Sequence, residues 1–148
     1  MTTGRNELLE AAAKVAADWN HHWLGTEHIL VAYLEAERKD EVKPFLTDAG
    51  LNFDAAETNV REAVPPRDER EEGKDGAIHT PRVATICGFA QGWAAASAWP
   101  DPPTVTAEHL MLAMLVDNGD GIGAQAIRKG GLNVENVIIH MGNRLASA

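Results

Sequence analysis

Two dipeptides concentrate the reactive side chains of this 148-residue sequence: Glu27-His28 and Glu108-His109, 81 positions apart. Each lies in a longer copy, Leu24–Leu34 (LGTEHILVAYL) and Val105–Leu115 (VTAEHLMLAML). The same spacing carries Gly50-Leu51-Asn52 onto Gly131-Leu132-Asn133. A carboxylate can take a guanidinium through paired charge-assisted hydrogen bonds. A carboxylate–imidazole cluster can also hold zinc, and His21-His22 lie nearby in the sequence. Adjacent helical residues project about 100° apart, however, so neither Glu-His pair should converge on one ion. No metal and no cofactor is expected. Ser97 and Ser147 have no neighbouring His–acid pattern. The lone Cys87 lies in the apolar run Ile86–Ala90, where a buried small hydrophobe is expected and not a nucleophile. The residues assign no reaction to the chain, so it is read as a non-enzyme.

A duplication in one register implies two like units, each too small to be comfortably stable alone, packed on a common interior. An apolar content of 45% suffices for that interior. The net charge of −9, with no basic cluster, argues against nucleic-acid partners. No apolar run approaches the ~20 residues of a membrane span. Met1–Glu7 lacks the cationic and apolar segments of a secretory signal, so a cytoplasmic location is expected. With a single cysteine there is no internal disulfide.

The elements that position these residues are helical. Leu8–Trp19 is Ala-rich with apolar residues at helical spacing. Asn20–Gly25 is a break. Thr26 then reads as an N-cap, with Glu27 in the first turn, where the helix dipole favours a negative charge. Val42–Ala49 reads as a short helix stopped by Gly50, and Asp54 as the cap of a helix reaching Val60–Val64. Pro65-Pro66 closes this unit, and the charged stretch Arg67–Gly76 reads as a solvated spacer. Thr80-Pro81 marks the next start: Thr caps, and Pro takes the first helical position, where its missing N–H costs nothing. That helix runs through Val83, Ile86, Cys87, Ala90 and Ala94 to Trp99–Pro103, a longer loop than its counterpart near Asn20. Thr106 caps the second Glu-His helix. Ile122–Lys129 and Val134–Leu145 complete the set. Trp19, Trp23, Trp93, Trp99, Met111 and Met114 read as core residues, and no segment alternates as a strand does. The expectation is an all-α fold of about eight helices, one domain over 1–148. Repeat one covers 1–64, a charged linker 65–79 and repeat two 80–148.

Ala12, Ala16, Asn20-His21-His22-Trp23, Gly25-Thr26-Glu27-His28-Ile29-Leu30 and Gly50-Leu51 resemble the Clp repeat. The second copy supplies Thr80-Pro81-Arg82, Glu108-His109-Leu110 and Gly131-Leu132. The pair is similar to the double Clp repeat N-terminal domain of Clp-type AAA+ unfoldases, nearest the ClpC branch. The resemblance implies two pseudo-symmetric four-helix repeats about a two-fold axis. It also implies a non-catalytic role in docking substrates and adaptors. No GxxxxGK[ST] phosphate loop is present, so a stand-alone module without the ATPase is expected.

The ClpC branch further implies recognition of phosphoarginine on protein segments. Glu27 and Glu108 would meet the guanidinium, while Thr80 and Thr2 would help hold the phosphate. His79, Thr3 and Arg5 fall where relatives contact peptides or drugs. This sequence departs from the pattern in four places: Thr106-Ala107 replaces Gly-Thr, His79 replaces an aromatic, Thr2-Thr3-Gly4-Arg5 replaces Phe-Thr-Glu-Arg, and the loop before Thr106 carries extra prolines. The competing reading of Glu27 and Glu108 is helix-start electrostatics at solvent-exposed positions. The partners implied are protein or peptide segments, Clp ATPase or protease components, or cyclic-peptide antibiotics that the chain would sequester. The roles implied are adaptor, decoy or regulator. For the histidines, the resemblance implies structural packing.

Overall fold

A computed structural model of the chain describes residues 4–21, 23–42, 44–65, 78–98, 105–116, 122–129 and 131–146. The elements are α1 (Arg5–Asp18), β1 (Trp23–Leu24), α2 (Thr26–Arg38), α3 (Phe45–Asp48), α4 (Phe53–Ala63), β2 (Ile78–His79), α5 (Pro81–Ala98), α6 (Ala107–Val116), α7 (Ile122–Lys129) and α8 (Val134–Ala146). The expected all-α architecture of eight helices is what is observed among the described residues. The spacer Arg67–Gly76, the loop Trp99–Pro103 and residues Thr2, Thr3 and His22 lie outside them.

Several boundaries differ from the sequence reading for identifiable reasons. Helix α1 starts at Arg5, with Gly4 as its cap and Glu7 Oε1 accepting the Gly4 N–H at 3.5 Å. Helix α3 is only one turn, with Pro44 as its N-cap. Pro44 has no side chain able to cap that turn. The buried Glu37 of α2 does so instead: Oε2 accepts the Leu46 N–H at 3.2 Å, and Oε1 accepts the Thr47 N–H at 3.1 Å and hydroxyl at 2.8 Å. The cap of α4 is Asn52, not Asp54, and its Oδ1 accepts the Ala55 N–H at 2.9 Å. Helix α5 has 18 residues against 14 in α1, so extra length of the second repeat is taken up in the helix itself.

The 81-residue spacing survives as repeated hydrogen bonds. Leu51 N–H reaches Leu46 O at 3.0 Å, and Leu132 N–H reaches Ile127 O at 3.3 Å. The turn residue between helices is Gly50 in one unit (φ +103) and Gly131 in the other (φ +89). This left-handed conformation is open to glycine without a Cβ penalty. Asn133 then caps α8 through the Asn136 N–H at 3.2 Å, as Asn52 caps α4.

The two units do not stand side by side as finished bundles. Helix α7 packs on α2 and α4, α8 on α3, and α1 on α6, so one apolar cluster is drawn from both. Leu8, Ile29, Leu30, Leu46, Ile86, Leu110, Met111 and Leu115 are buried in it. Each such side chain contributes about 1.5–3 kcal/mol on removal from water.

Extended segments lock the halves together reciprocally. β1 and β2 pair in parallel, Trp23 with Ile78 and Leu24 with His79, and the Thr80 N–H continues the ladder to Leu24 O at 3.1 Å. On the other side Gly4 bridges Thr106, with Arg5 N–H to Val105 O at 3.1 Å. The start of each unit's first helix is thus tied to the lead-in of the other unit's second helix. Two residues are too few to show strand alternation, which is why the pairing left no mark in the sequence pattern.

Candidate functional site

Both carboxylates singled out by the repeat lie at these seams, and neither is where a solvent-exposed helix-start charge would be. Glu27 and Glu108 are each 3% exposed. The expectation of an exposed charge is therefore corrected: both carboxylates are buried beside the points where the two units' extended segments pair.

The backbone geometry at the two starts is the same. Gly25 caps α2, and its N–H donates to His28 Nδ1 at 3.0 Å. Thr106 precedes α6, and its N–H donates to His109 Nδ1 at 3.1 Å. In each case an imidazole three residues on takes the place of the Glu or Gln of a capping box. Thr106 adds a reciprocal pair: its hydroxyl lies 2.7 Å from His109 Nδ1, and its oxygen accepts the His109 N–H at 3.3 Å. The cap is thus Thr106 as expected in the second unit, but Gly25, not Thr26, in the first.

The carboxylates diverge. Glu27 folds back over its own cap. A Cβ added to Gly25 would lie 1.7 Å from Glu27 Oε1 and 2.8 Å from Cδ, so that position must be glycine for this pose. The same oxygen accepts the Trp23 indole N–H at 3.3 Å and lies 3.5 Å from His28 Nδ1. Neighbouring Glu and His do converge here, contrary to the 100° argument, because both side chains turn back across the helix start. Burial raises the Glu27 pKa, and the Trp23 bond opposes the shift. Thr106 stands where Gly25 does in the repeat, and its Cβ denies Glu108 that pose. Glu108 instead bears on Tyr33 of α2: burial first, then the Glu108 charge, then Glu37, push the Tyr33 phenol upward.

His28 is the hinge of a buried imidazole chain. Because Nδ1 accepts from the Gly25 N–H, the neutral ring carries its proton on Nε2. Nε2 lies 2.7 Å from His21 Nδ1, and His21 Nε2 lies 3.0 Å from Pro65 O. One tautomer therefore satisfies all three links: His28 donates to His21, and His21 donates to Pro65. Trp19 meets both rings edge-on at 5.8 Å, and Trp23 stacks on His21 at 4.3 Å and 12°. Burial first, then the neighbouring His21, lower the His28 pKa to about 3. The structural-packing role implied for the histidines fits this arrangement. Among the described residues no group of three His, Cys, Asp or Glu side chains is placed to hold a metal ion.

The remaining predicted residues separate. Thr80 is half-buried at the start of α5, and its Oγ1 accepts the Val83 N–H at 3.3 Å, the expected cap. Its backbone bond to Leu24 O puts it against the lead-in to α2, on the Glu27 side of the molecule. Arg5 is tied to Val105, on the Glu108 side. The backbone of His79 pairs with Leu24, while its side chain, with Thr2 and Thr3, lies outside the described set. The cap of α1, the position equivalent to Thr80, is Gly4. Cys87 is half-buried, packed against the core cluster as a small hydrophobe; burial raises its thiol pKa, with the Arg5 charge opposing. A recess of about 380 Å³ between α3 and α8, lined by Asp48, Leu132, Asn133, Asn136 and His140 among others, includes none of the predicted residues. The sequence reading missed Trp23 as a site-forming group, having taken this half-buried residue for core, and Glu37 as the cap of α3. The four-residue spacing of Trp23 and Glu27 was the available signal for the first.

The described residues thus form interlocked helical repeats, capped by imidazoles and carrying buried acids at their seams. Residues 1–99 match the Clp repeat (R) N-terminal domain, and the chain belongs to that family. The fold is shared with the Hsp104 N-terminal domain from Candida albicans (17% identity, TM-score 0.74, covering 100% of this chain and 93% of that one). It is shared also with the N-terminal domain of the caseinolytic protease associated chaperone ClpD from Arabidopsis thaliana (16%, 0.70, 93% and 89%). A structure from work on a malarial protein secretion system is equally similar (16%, 0.70, 94% and 90%). No helix among the described residues is long and apolar enough to cross a membrane.

Proposed function

We propose that this chain is a non-catalytic protein- and peptide-recognition module of the Clp system, acting as adaptor, decoy or regulator, and that its preferred mark is phosphoarginine. The observation that carries the reading is the reciprocal seam. It lays the start of α5, with Thr80 and Pro81, against the lead-in to α2, three residues before Glu27. An arginine phosphate needs a carboxylate for its guanidinium beside hydrogen-bond donors for its phosphate. A helix start offers such donors. Each half of the ligand would be served by a different repeat, Glu27 from the first and Thr80 from the second. The other seam is built from Glu108 and the start of α1, where Gly4 offers no hydroxyl.

Calorimetric titration of the full chain with phosphoarginine tests the reading, with arginine and phosphoserine as controls. Saturable binding to phosphoarginine, lost in Glu27→Gln and weakened in Thr80→Ala, is the expected result. Absence of heat with phosphoarginine and with a phosphoarginine peptide would remove the ligand while leaving the family intact.

A further inference from the structure

The Glu27 carboxylate already has an occupant. Trp23 donates its indole N–H to Oε1 at 3.3 Å. The indole is held in place: it stacks on His21 at 4.3 Å and 12°, and His21 is fixed by its bonds to His28 and Pro65. Glu27 is 3% exposed in this arrangement, so a ligand cannot reach Oε1 while the indole remains. The residue at the same place in the second repeat is Thr104, which has no ring donor.

A guanidinium pairs with a carboxylate by offering two parallel N–H groups, one to each oxygen. The indole N–H occupies one of those two acceptors. We propose that Trp23 is an internal stand-in for the ligand's donor and the specificity-determining residue of the first-repeat site: a ligand engages Glu27 only by displacing the indole from Oε1. Weak or single donors lose that exchange, because they replace one hydrogen bond by another. A planar cation with two donors gains one. The proposal rests on reading Glu27 as a guanidinium acceptor.

Trp23→Phe removes the donor and keeps an aromatic ring to stack on His21. Titrated with phosphoarginine and with arginine, this variant should bind about tenfold more tightly than the wild type, the ratio expected when a competing hydrogen bond to a charged group is deleted. In the wild-type chain, the indole N–H resonance of Trp23 should shift as phosphoarginine saturates the site. That readout needs no variant. Glu27→Gln should abolish binding in both backgrounds.

Unchanged or weaker binding by Trp23→Phe, with Glu27 still required, would overturn the proposal and leave the site's function standing. So would an indole resonance that stays put through a Glu27-dependent titration. If neither wild type nor Trp23→Phe binds either guanidinium compound, the functional reading and the stand-in role fall together. Binding by the variant alone is the strongest support available.

Discussion

The starts of α2 and α6 share a backbone, a capping imidazole and a glutamate, yet they treat the glutamate differently. At α2 the cap is glycine, and the carboxylate folds onto it and meets an indole. At α6 the cap is threonine, which makes its own reciprocal bonds with His109, and the buried Glu108 charge pushes the Tyr33 phenol upward. Two differences accompany the two outcomes: a Cβ at position 106 that position 25 lacks, and Thr104 in place of the indole of Trp23. Duplication has preserved the scaffold while substitutions beside the glutamate changed its surroundings.

The imidazoles give the largest expected contrast. His28 is wholly buried, and both its nitrogens are engaged, one to Gly25 and one to His21. His28→Ala would strand a buried N–H and a buried ring nitrogen, and should cost about 3 kcal/mol. His109 is half-buried and serves its own cap, so His109→Ala should cost about 1 kcal/mol. Urea unfolding of the two variants measures the difference. Equal losses would mean that the His21–His28–Pro65 chain adds nothing.

Acidification sharpens the same contrast. His28 is held at about 3 in the folded chain against an ordinary 6.5. A lowered folded pKa means the unfolded chain binds the proton first. The stability due to neutral His28 is complete above about pH 6.5 and is lost progressively as pH falls toward 3. Between pH 7 and pH 5 the loss should be about 2 kcal/mol. Glu27 and Glu37 act in the opposite sense. Burial raises both, so their protonation favours the folded chain, fully below the ordinary 4.5, and that contribution fades as pH rises through the raised values. Over pH 7 to 5 the loss from His28 is therefore opposed by Glu27 and Glu37, and stability should fall more in the wild type than in His28→Gln. A wild-type slope retained in that variant would assign the titration elsewhere. His109 is lowered too, by burial with Glu108 opposing, but its exposure makes its share smaller.

Much of this contrast was written in the chain, and the unread part has a physical cause. Asn52 and Asn133 share a register, as do Gly50 and Gly131, because local caps and turns depend on residues within one turn of each other. Thr80 with Pro81 was legible for the same reason. Burial of Glu27 and Glu108 was not, since it arises at the seams where residues far apart in sequence pair, β1 with β2 and Gly4 with Thr106. The role of Glu37 was hidden similarly: it caps a turn nine residues away, and only because Pro44 leaves that turn uncapped. The fold was thus readable from periodicity, while the state of the site required the docking of one half on the other.

The first helices extend the comparison at smaller scale. Thr80 caps α5 through its hydroxyl, whereas Gly4 caps α1 with no side chain. Thr80→Ala should cost about 1 kcal/mol of stability, and Gly4→Ala about 0.5 kcal/mol, the retained bond from Gly4 N–H to Glu7 limiting the loss. Thermal melts resolve the two. A Thr80→Ala variant as stable as wild type would show that the ladder bond to Leu24, not the cap, holds this helix start.

The smallest expected change in stability accompanies the most informative exchange, Gly25→Thr. The backbone at Gly25 is extended (φ −117, ψ 178) and open to any residue. Thr is about as good a cap as Gly, and here it could copy the bonds of Thr106 to His109. Against that gain, the new Cβ would occupy the space of Glu27 Oε1, and the carboxylate end, being flexible, would swing away from Trp23. The lost hydrogen bond and the relieved burial of the acid nearly cancel, so stability should move by less than about 0.5 kcal/mol. The site, by contrast, should be transformed. Released from burial, Glu27 should titrate back toward the ordinary carboxylate range, and the Trp23 indole N–H should lose its partner. Both are visible by NMR in one sample. A Gly25→Thr chain in which Glu27 still titrates high and Trp23 is undisturbed would show that the cap residue does not govern the carboxylate, and that the difference between the two repeats arises elsewhere.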